Sequence, residues 1–165
     1  MCYPTIDHRG PEFSELALKC LSGIKTIFKT KNPVIIFPAS GTGAWEAALV
    51  NTLNDGDNVL MVETGHFASL WNNMAQKLGL QVELLKTDWR QGLDPNEIEK
   101  RLRLDADKKI KAVCIVHNET STGCTSDVKA VREILDNLNH DALLMVDSIS
   151  GLASTVSYTH LTLPT

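Results

Sequence analysis

The chain has 165 residues, 43% of them hydrophobic and 22% charged, and its 16 basic and 20 acidic side chains leave a net charge of −4. A single domain of this size buries roughly 70% of the surface that its unfolded chain exposes. Ten glycines and six prolines are too few for a collagenous or low-complexity chain. No basic face points to nucleic acid, and no apolar run approaches the ~20 residues of a membrane span.

In chain order, Phe13, Leu16, Ala17, Cys20, Leu21, Ile24, Ile27 and Phe28 recur at helical spacing, which predicts an amphipathic helix from Glu12 to about Lys29. Pro11 suits its first turn. After Asn32-Pro33 the run Val34–Phe37 is continuously apolar and predicts a strand covered on both faces. Ala44 to about Leu53 reads as a helix that ends at the turn residues Asn54-Asp55-Gly56-Asp57. Val59–Val62 is the next strand. Phe67–Leu78 is a helix, with Gly79 placed for a left-handed cap.

Val82–Leu85 predicts another strand. Asp94-Pro95-Asn96-Glu97 then combines an N-cap, a first-turn proline and a capping-box glutamate, opening a helix to about Leu104. Ala112–Val116 is a buried-type strand, and Ser126 is placed to cap a helix from Asp127 to Leu138. Leu143–Val146 is the last strand and delivers Asp147 to its carboxyl end. Alternating strands and helices predict an α/β fold, a mostly parallel sheet with helices on both faces. Ligands of such sheets bind beyond the carboxyl ends of the strands.

Cys2, Cys20, Cys114 and Cys124 form no C-x-x-C pair and have no histidine at ligand spacing, so no metal site or disulfide framework is expected. Cys20 and Cys114 lie in apolar patterns and read as small buried hydrophobes. Cys124 follows a glycine in a polar loop, where a chemical role would need an electropositive setting.

The strand ends carry the chemistry. Pro38-Ala39-Ser40-Gly41-Thr42-Gly43-Ala44 precedes a helix, and glycines beside unpaired helix-start N–H groups make an anion cradle. Glu46 stands where a dinucleotide loop has its third glycine, and no Gly-Lys-Ser/Thr follows as in a Walker A loop. A single terminal phosphate fits better; a ligand-free tight turn is the alternative. Phe67, after Glu63-Thr64-Gly65-His66, is placed either to cover a flat ligand or to begin the apolar stripe of its helix. His117-Asn118-Glu119-Thr120-Ser121-Thr122-Gly123 is dense in hydrogen-bonding groups, either for a ligand or for side-chain-to-backbone bonds within a loop. Asp147 needs a cation or several donors; it reads as the partner of a pyridinium nitrogen or as an N-cap.

Three segments, Pro38–Glu46, Ile115–Gly123 and Leu144–Ser148, resemble the class V aminotransferases, with the serine–glyoxylate and alanine–glyoxylate branch nearest. The resemblance covers Thr5 to Ala153. It implies a partial large domain, residues 1–153, of the fold-type I architecture that binds pyridoxal 5′-phosphate. By it, Ser40, Gly41 and Thr42 match the phosphate loop and Phe67 the aromatic stacked on the pyridine ring. Thr120 matches the hydroxyl near the ring's phenolic oxygen, Asp147 the partner of the ring nitrogen, and Ile149 the aliphatic residue on the ring's other face. It also implies a homodimer and the transfer of an amino group from serine or alanine to a 2-oxo acid such as glyoxylate.

The chain departs from the family in one decisive respect. The family's Schiff-base lysine follows the aspartate, whereas the last lysine here is Lys129. No residue of this chain is therefore assigned a catalytic role, and no transaminase activity is expected of it alone. Residues 154–165 no longer follow the family and read as a read-through tail; the small C-terminal domain is expected to be missing.

Asp7, His8 and Arg9 leave no visible signal peptide. A cytoplasmic location is expected, or a peroxisomal one if the source is eukaryotic. Three alternatives remain. A cysteine desulfurase or related lyase of the same fold would place a histidine where Phe67 stands. A nucleotide-binding α/β oxidoreductase would need an acidic residue after the second strand, a condition Glu63 partly meets. The third is a partly folded polypeptide that binds nothing tightly.

Overall fold

Two apolar runs, around Val59–Val62 and Ala112–Val116, become neighbouring central strands in the computed structural model, which describes residues 4–152. The chain divides into two compact units, and their described parts are residues 4–36 and 37–152. The first holds helix α1, Pro11–Ile27, entered through Gly10 with a proline in its first turn. None of its residues is buried, and Cys20 is exposed rather than packed in a core. Helical spacing identified the helix; it could not say whether the apolar stripe is covered.

The second unit runs α2 (Gly41–Thr52), β1 (Asn58–Glu63), α3 (His66–Lys77), β2 (Gln81–Lys86), α4 (Pro95–Leu104), β3 (Ile110–Val116), α5 (Val128–Asn137) and β4 (Leu143–Asp147). All strand pairings are parallel, in the order β2-β1-β3-β4. Right-handed crossovers in that order put α3 on one face and α4 and α5 on the other. The strand order reverses between β1 and β3, so the crevice between their carboxyl ends is the switch point where ligands of such sheets bind.

The alternation of a strand decides which side chains meet which helix. Val59, Met61, Ala112, Cys114 and Val116 pack with Trp45 and Leu49 of α2 and with Ala68, Trp71 and Ala75 of α3. Leu60, Val113 and Ile115, also buried, alternate with them and face the α4–α5 layer, which supplies Ile98, Leu102, Val131 and Leu135. The turn residues behave as their chemistry requires. Gly79 adopts φ of +84° after α3, and Asp94 accepts the Asn96 N–H at the start of α4.

Two local expectations are corrected. Val34–Phe37 is not a strand, and Ile35 and Ile36 are 75% and 63% exposed. An apolar run becomes a strand only with a ladder to join, and no described strand pairs with it. The helix after β3 is capped by Asp127, which accepts the Ala130 N–H. Ser126 is buried, and its hydroxyl accepts the Leu93 N–H instead. No described helix is long and apolar enough to cross a membrane. The expected tail, residues 154–165, lies outside the described residues.

Candidate functional site

Helix α2 begins at Gly41 without a side-chain cap and with no acidic residue in its first turn. The first N–H groups of a helix have no intrahelical partner, and the helix dipole makes this end favourable for an anion. The other helix starts of the unit are closed by carboxylates: Glu119 at α3, Asp94 at α4 and Asp127 at α5. Ser40 and Thr42 are exposed beside the open end.

Gly41, Asp147 and Ile149 line one cavity of about 380 Å³, together with Trp45, Trp71 and Met145. A Cβ on Gly41 would stand 3.2 Å from Cδ1 of Ile149, so the glycine permits a close approach between the loop and the turn after β4. Asp147 is half-buried. Its Oδ1 accepts the Ile149 N–H at 2.9 Å and its Oδ2 the indole N–H of Trp45 at 2.9 Å. Ile149 is 71% exposed, its side chain open to a neighbouring group.

Phe67 and Thr120 do not line that cavity; they stand at the switch-point crevice. Phe67 is half-buried, and its N–H donates to Glu119. The Thr120 hydroxyl donates to Ser150 Oγ at 2.8 Å, and Ser150 Oγ donates to the Asn118 carbonyl at 2.7 Å. The post-β3 loop is thereby tied to the turn that carries Asp147 and Ile149. Gly41, Asp147 and Ile149 thus line one cavity, with Ser40 and Thr42 flanking Gly41 in the chain. Ser150 ties Thr120 to the turn after Asp147, and Glu119 ties Phe67 to the loop that carries Thr120.

Sequence reasoning missed Trp45 as a donor to Asp147 and Glu119 as a buried anion. Trp45 stacks on Trp71 with ring centroids 5.5 Å apart, a pairing between helices that no spacing in the sequence encodes. Glu119 is fully buried, which by itself pushes its carboxyl up. The Ser121 hydroxyl and the N–H groups of Ser121, Ala68 and Phe67 outweigh that cost and hold it below the usual glutamate range. Burial pushes the His117 imidazole down, toward its neutral form. Glu63 accepts the Ser69 hydroxyl at 2.5 Å. No group of metal-ligating side chains occurs among the described residues.

The sequence pattern that defines the class-V aminotransferases matches residues 4–160. This chain belongs to that family. The serine–glyoxylate aminotransferase of Methylorubrum extorquens is 47% identical over 149 residues, which are 90% of this chain and 37% of that protein. The L-aspartate–glyoxylate aminotransferase of Paracoccus denitrificans is 43% identical over 92% of this chain and 38% of its own length. Among solved structures, an alanine–glyoxylate aminotransferase from Nostoc superposes with a TM-score of 0.81 at 27% identity, over 94% of this chain and 40% of that one. The chain therefore spans well under half the length of the relatives it matches. Its α/β fold is the one expected, part of the fold-type I architecture.

Proposed function

We propose that the whole protein is a pyridoxal-phosphate-dependent transaminase that moves an amino group from a small amino acid, serine or alanine, to a 2-oxo acid such as glyoxylate, and that it works as a homodimer. This chain supplies the cradle for the cofactor. The observation that carries the reading is the shared cavity: the uncapped start of α2 at Gly41 and the carboxylate of Asp147 open onto the same space.

The donor set suits a phosphate-bearing pyridine. Ser40, Gly41 and Thr42 offer two hydroxyls and helix-start N–H groups to a phosphate. Asp147 accepts one bond at each oxygen from the protein, which leaves lone pairs for a protonated ring nitrogen. Phe67 and Ile149 are the ring's two apolar covers, and Thr120 brings a hydroxyl to its edge. Bound pyridoxal phosphate supplies an electron sink for charge developing at a substrate α-carbon. The work of Asp147 is to hold a proton on the ring nitrogen, which strengthens that sink.

The relatives' names favour glyoxylate as acceptor: serine and aspartate are the named donors in two of them. The general acid/base that moves the α-proton is assigned to a lysine outside this chain, since Lys129 is the last one here and precedes Asp147. Thermal unfolding of the chain with increasing pyridoxamine 5′-phosphate tests the reading. A saturable rise in Tm, absent with a nicotinamide dinucleotide, is expected. A rise with the dinucleotide alone would favour the oxidoreductase alternative, and no rise with either would reject both.

A further inference from the structure

Glu119 is a buried carboxylate, and the cofactor reading gives it no task. It sits in the switch-point crevice between β1 and β3. Its Oε1 accepts the Ser121 hydroxyl at 2.7 Å, the Ser121 N–H at 3.1 Å and the Phe67 N–H at 3.3 Å, and its Oε2 accepts the Ala68 N–H at 3.1 Å. Ser121 Oγ in turn accepts the His66 N–H at 2.9 Å. The first three N–H groups of α3 are thus all satisfied by the loop after β3, from more than 50 residues away.

A helix start is ordinarily capped by its own preceding residue. Here that residue is Gly65, which has no side chain to do so, and a Cβ on it would lie 2.4 Å from Cγ of Glu119 and 2.7 Å from Ser121 Oγ. The glycine both removes the local cap and makes room for the distant one. A further bond runs from the Thr122 hydroxyl to the Thr64 carbonyl. Phe67 lies between two residues held by this clamp, and Thr120 between the two residues that do the holding.

We infer that Glu119 is a positioning residue: its carboxylate fixes the backbone of Phe67 relative to Thr120 and so sets where the aromatic ring lies over a bound pyridine. The inference rests on the proposed cofactor site. A carboxylate is required because every group facing it is a donor. A glutamine would turn an N–H₂ toward one of them, and the positive end of the α3 dipole favours the anion.

The test uses the 165-residue chain and 4-deoxypyridoxine 5′-phosphate, a ring-and-phosphate probe without the aldehyde that would link to surface lysines. Glu119→Gln and Phe67→Leu are each expected to weaken binding by about three- to tenfold, the scale of an aromatic stacking contact. The double variant should be no weaker than the worse single one, as coupling through one contact requires. The proton resonance of the bound probe's ring, shifted by Phe67 in the parent, should move toward its free position in Glu119→Gln even at saturation.

Multiplying effects in the double variant, or an unmoved resonance in Glu119→Gln, would overturn the inference while leaving the cofactor site intact. A parent chain that does not bind the probe, or binding indifferent to Phe67→Leu, would overturn the site and the inference together. If Glu119→Gln does not fold, Ser121→Ala, which removes one donor to Glu119 and the acceptor of the His66 N–H, must show the same coupling and the same movement.

Discussion

The indole N–H of Trp45 reaches Oδ2 of Asp147 at 2.9 Å, across 102 residues of chain. The helix that opens at the proposed phosphate loop thereby holds the carboxylate proposed to face the ring nitrogen. Trp71, stacked on Trp45, has a buried indole N–H with no hydrogen-bond partner. Two similar side chains in one stack thus have different duties. Trp45→Phe should cost about 1.5 kcal/mol in urea unfolding, the low end for a hydrogen bond to a charged group, and should weaken binding of the ring-and-phosphate probe. Trp71→Phe gives up no hydrogen bond, so its effect on stability and on probe affinity should come from lost packing alone, and probe affinity should fall less than in Trp45→Phe.

Glu119 makes stability depend on acid. Its folded carboxyl lies below the usual range, and the unfolded one titrates near ~4.3. The group therefore contributes its full stabilisation above the unfolded value and loses it as pH falls through the folded one. Glu119→Gln should lower Tm at neutral pH by the equivalent of roughly 1–3 kcal/mol. The gap to the parent should narrow steadily below the unfolded value. Thermal scans across the acid range check this; a gap that stays constant with pH would contradict it.

Asp105 does similar work at the opposite end of the sheet. Burial pushes its carboxyl up. Bonds from the Ile110 and Lys109 N–H groups and from His140 outweigh that and leave it below the usual aspartate range. The Ala142 N–H donates to Nδ1 of His140, so the ring's proton sits on Nε2, facing Asp105 Oδ2 at 3.3 Å. Asp105→Asn should cost about 2 kcal/mol and speed hydrogen exchange at the Lys109 and Ile110 amides, with probe binding unchanged.

The cysteines should separate by reactivity. Burial pushes the Cys114 thiol up to about 12, and its side chain is enclosed in the core. Only a thiolate is a good nucleophile, so Cys114 should resist iodoacetamide until the sheet unfolds. Cys20 is exposed on α1 and should be alkylated in the native chain. Peptide mass mapping before and after denaturant distinguishes the two.

The sheet was legible in the sequence because β1 and β3 are covered on both faces and read as unbroken apolar runs, while Gly79 and Asp94-Pro95 mark a helix end and a helix start with local chemistry. Val34–Phe37 has the same composition and is not a strand, because pairing depends on a neighbour that composition does not name. Cys20 failed for a related reason: a helical stripe shows which side is apolar, not whether anything covers it. At the site, Gly41 and Asp147, legible from their places at element ends, line one cavity with Ile149, which only the family resemblance singled out. Glu119 was one polar letter in a loop of polar letters. Its burial is created by the start of α3, about fifty residues earlier in the chain, and no local pattern records that meeting.

The direct test of the central claim is the ¹⁵N resonance of ring-labelled pyridoxamine 5′-phosphate added to the chain, read above the pH at which the free ring nitrogen gives up its proton. If Asp147 faces that nitrogen, the bound ligand should show a pyridinium signal in the parent and a neutral-pyridine signal in Asp147→Asn. A bound ligand whose nitrogen is neutral in the parent and indifferent to Asp147→Asn would contradict the account.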